Sequence, residues 1–265
     1  MVKLHGAFGR AMLELLTRRF GALAYDDAIH DPHETSRLRQ YFGASLETRL
    51  RDRTVVDFGC GRGADAVIAA LAGAKRVIGI DIDDAYLDSA RTLARDHGVA
   101  QTCTFVNAQS EAATYRALRG TCDVVFSIDA FEHFGDPAAV LAEMNALLCP
   151  GGTLLISFGP PWKHPYGAHM NHFNTLPWVH FVFSEDAILA VRRQHVDDGV
   201  TRFEDLPGGL NRMTVARFED LVARSGLRFD EFEALPIRGL KLFTANRVTR
   251  EYFTSMVKAV LHKAA

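Results

Sequence analysis

Thr54-Val-Val-Asp57-Phe-Gly59-Cys-Gly61-Arg-Gly63-Ala64 decides the fold. A short β-branched, apolar run ends in an acid, three glycines follow at alternate positions, and helix-like spacing begins at Ala64. Apolar strand, glycine turn and helix start are the parts of a nucleotide-binding βαβ unit. Glycine lets a ligand approach the backbone, and the helix start offers unpaired N–H groups. Gly59-x-Gly61-x-x-Ala64 fits the dinucleotide fingerprint, with Asp81 near the spacing of a ribose-binding acid, so a nicotinamide dehydrogenase is a rival reading. Asp57 argues against it, because a carboxylate beneath the loop would repel a pyrophosphate and would suit a ligand carrying an ammonium group.

Outward from this stretch the pattern alternates. Strands are predicted at 54–58, 76–81, 103–107, 123–128 and 153–158, and helices at 64–72, 84–97 and 137–148. Continuous apolar strands alternating with helices imply a parallel sheet covered on both faces. Pro150-Gly151-Gly152 is read as the turn into strand five. After Gly159-Pro160-Pro161 the rhythm breaks, and residues 160–212 are rich in aromatics, His and Gly, with a helix over 184–196. A helix over 214–225, capped by Thr214 and stopped by Gly226, precedes strand six at 227–234 and a last strand at 255–262. Residues 4–25 and 34–51 are predicted to be helical. These helices either close over the site or simply pack on the sheet.

Composition excludes other classes. The 265 residues are 48% hydrophobic and 23% charged, which fits an ordered core, and a net charge of -2 supplies no field for nucleic acid. No apolar run is long enough to span a membrane, and no signal peptide is read at the N-terminus. Cys60, Cys103, Cys122 and Cys149 form no CxxC pair and are expected as reduced thiols in a cytoplasmic protein.

As a set, Val55-Val-Asp57-Phe-Gly59-Cys-Gly61-Arg-Gly63, Val77-Ile-Gly-Ile-Asp81-Ile82, Phe105-Val-Asn107-Ala108-Gln109, Asp123-Val-Val-Phe-Ser-Ile-Asp129-Ala-Phe-Glu-His133-Phe and Leu147-Leu-Cys-Pro150-Gly151-Gly152 resemble the class I S-adenosylmethionine-dependent methyltransferases of small-molecule type. The resemblance covers about residues 53–158. It implies a Rossmann-like, seven-stranded, mostly parallel α/β sheet with the last strand antiparallel. One domain over 1–265 is expected, with an N-terminal helical cap (1–52), a cofactor-binding core (53–158), a substrate-capping insert (159–212) and the C-terminal part of the sheet (213–265). The implied cofactor is S-adenosyl-L-methionine, leaving as S-adenosyl-L-homocysteine.

Carried onto this chain, the resemblance puts Gly59, Cys60 and Gly61 under the methionine part, with Asp57 holding its ammonium group. Asp81 would accept from the ribose hydroxyls and Ile82 would pack on adenine. Ala108 and Gln109 occupy the adenine-reading place, where Gln109 departs from the family's Asp. Ser127, Ile128 and Asp129 would lie beneath the transferred methyl. Gly159-Pro160-Pro161-Trp162 looks like the motif of amino-methylating enzymes, yet it follows strand five and not strand four, and is read as a rigid strand exit.

The insert leaves the carboxyl end of strand five, the side on which open α/β sheets bind ligands. Trp162, His164, Tyr166, Phe173 and Trp178 are expected to line the acceptor's pocket, and His133, His169 and His172 are the candidate general bases. His164, His169 and His172 have no spacing that defends a metal site, so no metal is expected. The predicted activity is methyl transfer to a small molecule, with oxygen first among the acceptor atoms. A non-methylating S-adenosylmethionine enzyme (alkyl transfer or cyclisation) and a non-catalytic binding subunit are the alternatives. Exposed aromatics of the insert would also suit a homodimer contact.

Overall fold

In the computed structural model, which describes residues 3–20, 32, 36–170, 174–196, 198–206 and 209–264, seven strands form one sheet. They are β1 (Thr54–Phe58), β2 (Arg76–Asp81), β3 (Cys103–Asn107), β4 (Cys122–Ile128), β5 (Leu148–Phe158), β6 (Leu227–Pro236) and β7 (Thr254–Lys263). Their order is 3-2-1-4-5-7-6. Pairing is parallel from β3 through β5, and β7 runs antiparallel to both β5 and β6. The seven-stranded sheet with an antiparallel last strand is the architecture the sequence implied.

Helices α1 (Gly6–Phe20), α2 (Arg37–Phe42) and α3 (Leu46–Leu50) precede the sheet, and α4 (Ala64–Leu71), α5 (Asp84–Asp96), α6 (Ala112–Arg116) and α7 (Pro137–Leu147) connect its first five strands. The insert contributes α8 (Val179–Val182) and α9 (Glu185–Arg192). Beyond it, α10 (Val215–Arg224) leads into β6, and the short turns α11 (Lys241–Thr244) and α12 (Arg250–Phe253) lie before β7. Local chemistry sets these ends. Asp83, Asp136, Ser184 and Thr214 each accept a backbone N–H in the first turn of the helix that follows. Gly226, at φ +79°, ends α10.

Period-two alternation splits the strands between two faces. Val56, Ile78, Ile80, Val106, Val125, Leu154 and Ile156 face α7 and α10. Val55, Val77, Phe105, Val124, Phe126 and Leu155 face the layer of α2 to α5. A third apolar cluster lies off the sheet, where Leu13 of α1 joins Val179, Phe183, Ile188, Leu189 and Phe203 of the insert. Of the N-terminal helices, α1 thus packs on the insert and not on the sheet.

The differences from the sequence reading are local. β5 begins at Leu148 and contains Pro150-Gly151-Gly152, because the pairing register jumps between Cys122↔Leu148 and Val124↔Thr153, and the extra residues bulge at the strand's start. The second predicted N-terminal helix is broken by a tight turn at Gly43–Ser45. The helix read over 184–196 stops at Arg192.

Gly63 caps α4 at φ +84°, and a Cβ there would lie 2.6 Å from Ala90 Cβ on α5. Both the left-handed backbone and the helix contact require glycine. Gly63→Ala is expected to lower the unfolding free energy by about 2–4 kcal/mol, read from urea denaturation.

Candidate active site

The parallel strands end together, and the groups singled out in the sequence gather at their carboxyl ends. Gly59 (φ +81°) and Gly61 (φ +49°) turn the chain away from β1, both in the left-handed region that glycine adopts at little cost. The Gly59 and Cys60 amides donate to Ile80 O on the neighbouring β2 at 2.8 and 3.0 Å. Asp81 ends β2, and its Oδ2 accepts from Gly61 N at 2.8 Å while Oδ1 accepts from Ile82 N and Asp83 N at 2.7 and 3.1 Å. One carboxylate thus ties the glycine turn to β2 and keeps lone pairs for further donors. Beside it Ile82 is 62% exposed, an apolar side chain without cover.

Asp57 lies beneath the turn at 2% exposure, and its Oδ2 has no hydrogen-bond partner among the described residues. Burial, then the like charges of Asp65 and Asp81, push its carboxyl well above the usual range, opposed by the Ala66 amide. A buried acid at the mouth of a glycine turn, in no ion pair among the described residues, suits a ligand that brings its own positive charge. The Cys60 thiol is also buried and pushed well up, first by burial and then by Asp57 and Asp81, so it is a poor nucleophile.

At the end of β3, Asn107 is buried and fully used. Its Nδ2 donates to Ile82 O (3.2 Å) and Asp84 Oδ1 (2.8 Å), and its Oδ1 accepts from Gln109 N (2.9 Å) and Ser110 N (3.1 Å). Ala108 N donates to Asp81 O at 2.9 Å, which brings Ala108 beside Asp81 and Ile82, while the Gln109 residue is exposed.

The end of β4 is acidic and crowded. Ser127 is buried with its Oγ unpartnered among the described residues, and Ile128 is buried beside it. Asp129, at φ +51°, accepts from Ser157 Oγ of β5 (2.8 Å) on Oδ1 and from Tyr41 of α2 (3.3 Å) on Oδ2, with Arg37 Nε at 3.8 Å. Burial raises the Asp129 carboxyl even though these partners pull it down. Glu132, 2% exposed, accepts from Gly159 N at 2.9 Å on Oε1, and its Oε2 is unpartnered among the described residues. Burial pushes its carboxyl up to about 8, against the pull of the Gly159 amide.

The insert meets this end of the sheet through histidines. His133 and His169 pack edge to face, their ring centres 5.3 Å apart. His133 Nδ1 lies 2.9 Å from Gly209 O, and His169 Nε2 lies 3.3 Å from Pro160 O. Carbonyls only accept, so each of those nitrogens carries a proton, and in a neutral ring the acceptor is the other nitrogen, His133 Nε2 or His169 Nδ1. Burial lowers His169 to about 4, leaving it neutral and weakly basic at ordinary pH.

Trp162 packs on His180 (4.6 Å) and Phe203 (5.7 Å), with Arg212 over its ring, inside the insert's own core. His164 is buried, accepts from Tyr166 N at 3.0 Å and touches the Tyr166 ring, while the Trp178 indole donates to Lys163 O at 3.1 Å. Trp162, His164 and Trp178 therefore have structural duties within the insert. His172 and Phe173 lie outside the described residues.

Residues 56–156 match the methyltransferase domain family. The strand order 3-2-1-4-5-7-6 with an antiparallel β7 agrees with that match. Residues 56–156 thus form a methyltransferase domain, set in a sheet whose order is that of the class I methyltransferase fold. Among curated proteins it is 33% identical over 144 residues to the ubiquinone biosynthesis O-methyltransferase of Methylococcus capsulatus, covering 52% of this chain and 59% of that one. It is 36% identical over 108 residues to the Pseudomonas paraeruginosa protein of that name, covering 41% and 45%. The chain thus spans about half the length of the curated relatives it matches.

Solved structures share the fold at lower identity. An S-adenosylmethionine-dependent methyltransferase from Mesorhizobium loti superposes with a TM-score of 0.54 at 19% identity, covering 84% of this chain and 97% of that one. The [4+2]-cyclase SpnF gives 0.56 at 13% identity, covering 100% and 98%. The methyltransferase family implies S-adenosyl-L-methionine as cofactor, and the buried, unpaired Asp57 beneath an open glycine turn fits a ligand with an ammonium group.

Sequence reading passed over Arg37, Tyr41, Asn107, Glu132 and Ser157. Asn107 carried a local signal, an Asn at a strand end followed by two donors of an Asx turn. Tyr41 and Arg37 carried none, because only tertiary packing brings α2 to β4. Glu132 makes a pH test. A buried acid whose folded pKa is about 8 binds a proton that the unfolded chain has already released, so its contribution to stability falls as pH rises from the ordinary glutamate range to about 8. Glu132→Gln cannot ionise, so its stability relative to wild type should climb across that window and level off above it, as read from denaturation at a series of pH values.

Proposed function

We propose that the chain transfers a methyl group from S-adenosylmethionine to a hydroxyl of a small, planar acceptor seated between the β4 end and the insert. The Asp57 carboxyl at the glycine turn, its Oδ2 unpartnered among the described residues, carries this reading. O-Methyl transfer is the reaction in the curated relatives' name. Bound at this site, the cofactor supplies an electrophilic methyl on a sulfonium, already activated for in-line displacement.

The chain's own residues then bind, orient and remove a proton. Asp57 pairs with the ligand's ammonium, and the Gly59, Cys60 and Gly61 backbone leaves room for the methionine part. Asp81, already oriented by three amides, accepts from the paired ribose hydroxyls. Ile82 covers one adenine face, and Ala108 and Gln109 border its edge. Ser127, Ile128 and Asp129 form the floor beneath the reacting carbon, and Tyr41, reaching Asp129 from α2, closes that floor from above the sheet.

His133 is the base. Its Nδ1–H is held by Gly209 O, which fixes the tautomer and turns the lone pair of Nε2 outward. His169 packs edge to face against it and, lowered to about 4 by burial, is a weak base. Tyr166 is assigned to the acceptor's pocket, while Trp162, His164 and Trp178 hold its wall in place from within the insert.

Incubation with S-adenosylmethionine and a panel of phenols and catechols, read by mass spectrometry, should yield methylated acceptor and S-adenosylhomocysteine. Methylthioadenosine would point to alkyl transfer, and a converted acceptor with no cofactor consumed would point to cyclisation. Asp81→Ala is expected to weaken S-adenosylhomocysteine binding at least about tenfold by calorimetry. Asp57 must lose its proton when the ammonium arrives, so affinity should rise with pH in wild type and stay flat in Asp57→Asn. His133→Ala should cut turnover by about 10²–10⁴ without changing cofactor affinity.

A further inference from the structure

The connection between β6 and β7 is unlike the rest of this nearly neutral chain. Residues 237–250 read Ile-Arg-Gly-Leu-Lys-Leu-Phe-Thr-Ala-Asn-Arg-Val-Thr-Arg, with four cations and no acid. Arg250 pairs with Glu219, and the acid that follows, Glu251, is buried. Arg238, Lys241 and Arg247 are exposed and form no ion pair among the described residues. Between them stand apolar side chains that the fold leaves in water: Leu242 at 83% exposure and Val248 at 71%, with Leu240 and Phe243 also exposed.

Topology places this connection. β6 and β5 both run antiparallel to β7, so Pro236 leaves the sheet at the end where Phe158 enters the insert. Tyr252 touches the insert, its ring 6.4 Å from Phe181 and 5.9 Å from Lys163 Nζ. The connection therefore leaves the sheet on the side where the insert does, and its continuation at Tyr252 meets the insert.

We propose that residues 237–248 dock the protein on an anionic lipid surface. Apolar side chains interleaved with cations and free of acids suit the bilayer boundary, where the apolar groups reach the acyl region and the cations meet lipid phosphates. A nucleic-acid backbone would satisfy the cations and leave Leu242 and Val248 without apolar contact. A second copy of this chain would bring the same three cations against one another. No helix among the described residues is long and apolar enough to cross a membrane, so the contact is peripheral. Docking of this kind is independent of the reaction, and it would hold the site's mouth at the lipid–water boundary.

The test is co-sedimentation of the full chain with vesicles of phosphatidylcholine alone or mixed with phosphatidylglycerol. Wild type should partition onto the mixed vesicles, not onto phosphatidylcholine alone, and should be released by salt. The R238E/K241E/R247E variant should bind at least about tenfold more weakly, and L242E should also lose binding, each with an unchanged circular dichroism melt. The proposal is overturned if wild type ignores the mixed vesicles or if the charge-reversed variant binds them as well as wild type. Retention on a single-stranded oligonucleotide without vesicle binding, or a dimer in solution that L242E dissociates, would equally overturn it.

Discussion

The Asp57 carboxyl is the constraint around which the site is arranged. It ends the central strand of the parallel part of the sheet, beneath the glycine turn, with one oxygen unpartnered. Such a group costs stability in the isolated fold, and a single side chain opposite it could have removed that cost. The chain instead surrounds it with Asp65 and Asp81, which makes the site more hostile to an anion and more receptive to a cation. Parallel pairing then brings the ends of β2, β3 and β4 to the same edge, so Asp81, Ala108 and Asp129 share that edge without being near in sequence.

A second layer of contacts governs how the site is covered. The turn after β4 holds both ends of the insert. Glu132 accepts from Gly159 N where the chain leaves β5, and His133 donates to Gly209 O. The Asn211 side chain returns to Phe131 O and Phe134 O, both at 2.9 Å. From the other side α2 is fastened by Ser36 Oγ and Leu38 N on Asp65, and by Tyr41 on Asp129. Insert and α2 are thus anchored to the strand ends that carry the candidate cofactor site, and α1 packs on the insert rather than on the sheet.

The histidine-rich stretch shows how burial changes the meaning of a residue. In sequence its aromatics and imidazoles look like a pocket lining. In the fold, Trp162 and His180 pack on each other, His164 serves a local turn, and Trp178 holds Lys163 O. The insert is about as long as a small cluster of helices needs to build its own core, and its large side chains are spent there first. His133, which belongs to the β4 turn, faces His169 across the boundary.

By itself, the sequence determined the strands of the parallel core, their order of appearance, the glycine turn and the acids at the strand ends. These depend on local periodicity, on left-handed glycines and on caps such as Asp83 and Thr214, all of which act over a few residues. The bulge at Pro150-Gly151-Gly152 escaped it, because a register shift exists only between paired strands. So did the partners of Asp129, the neutral setting of Glu132 and the seat of α1. Only the tertiary structure decided these, because desolvation and contacts between residues such as Tyr41 and Asp129 arise from packing distant segments together, and no spacing along the chain encodes them.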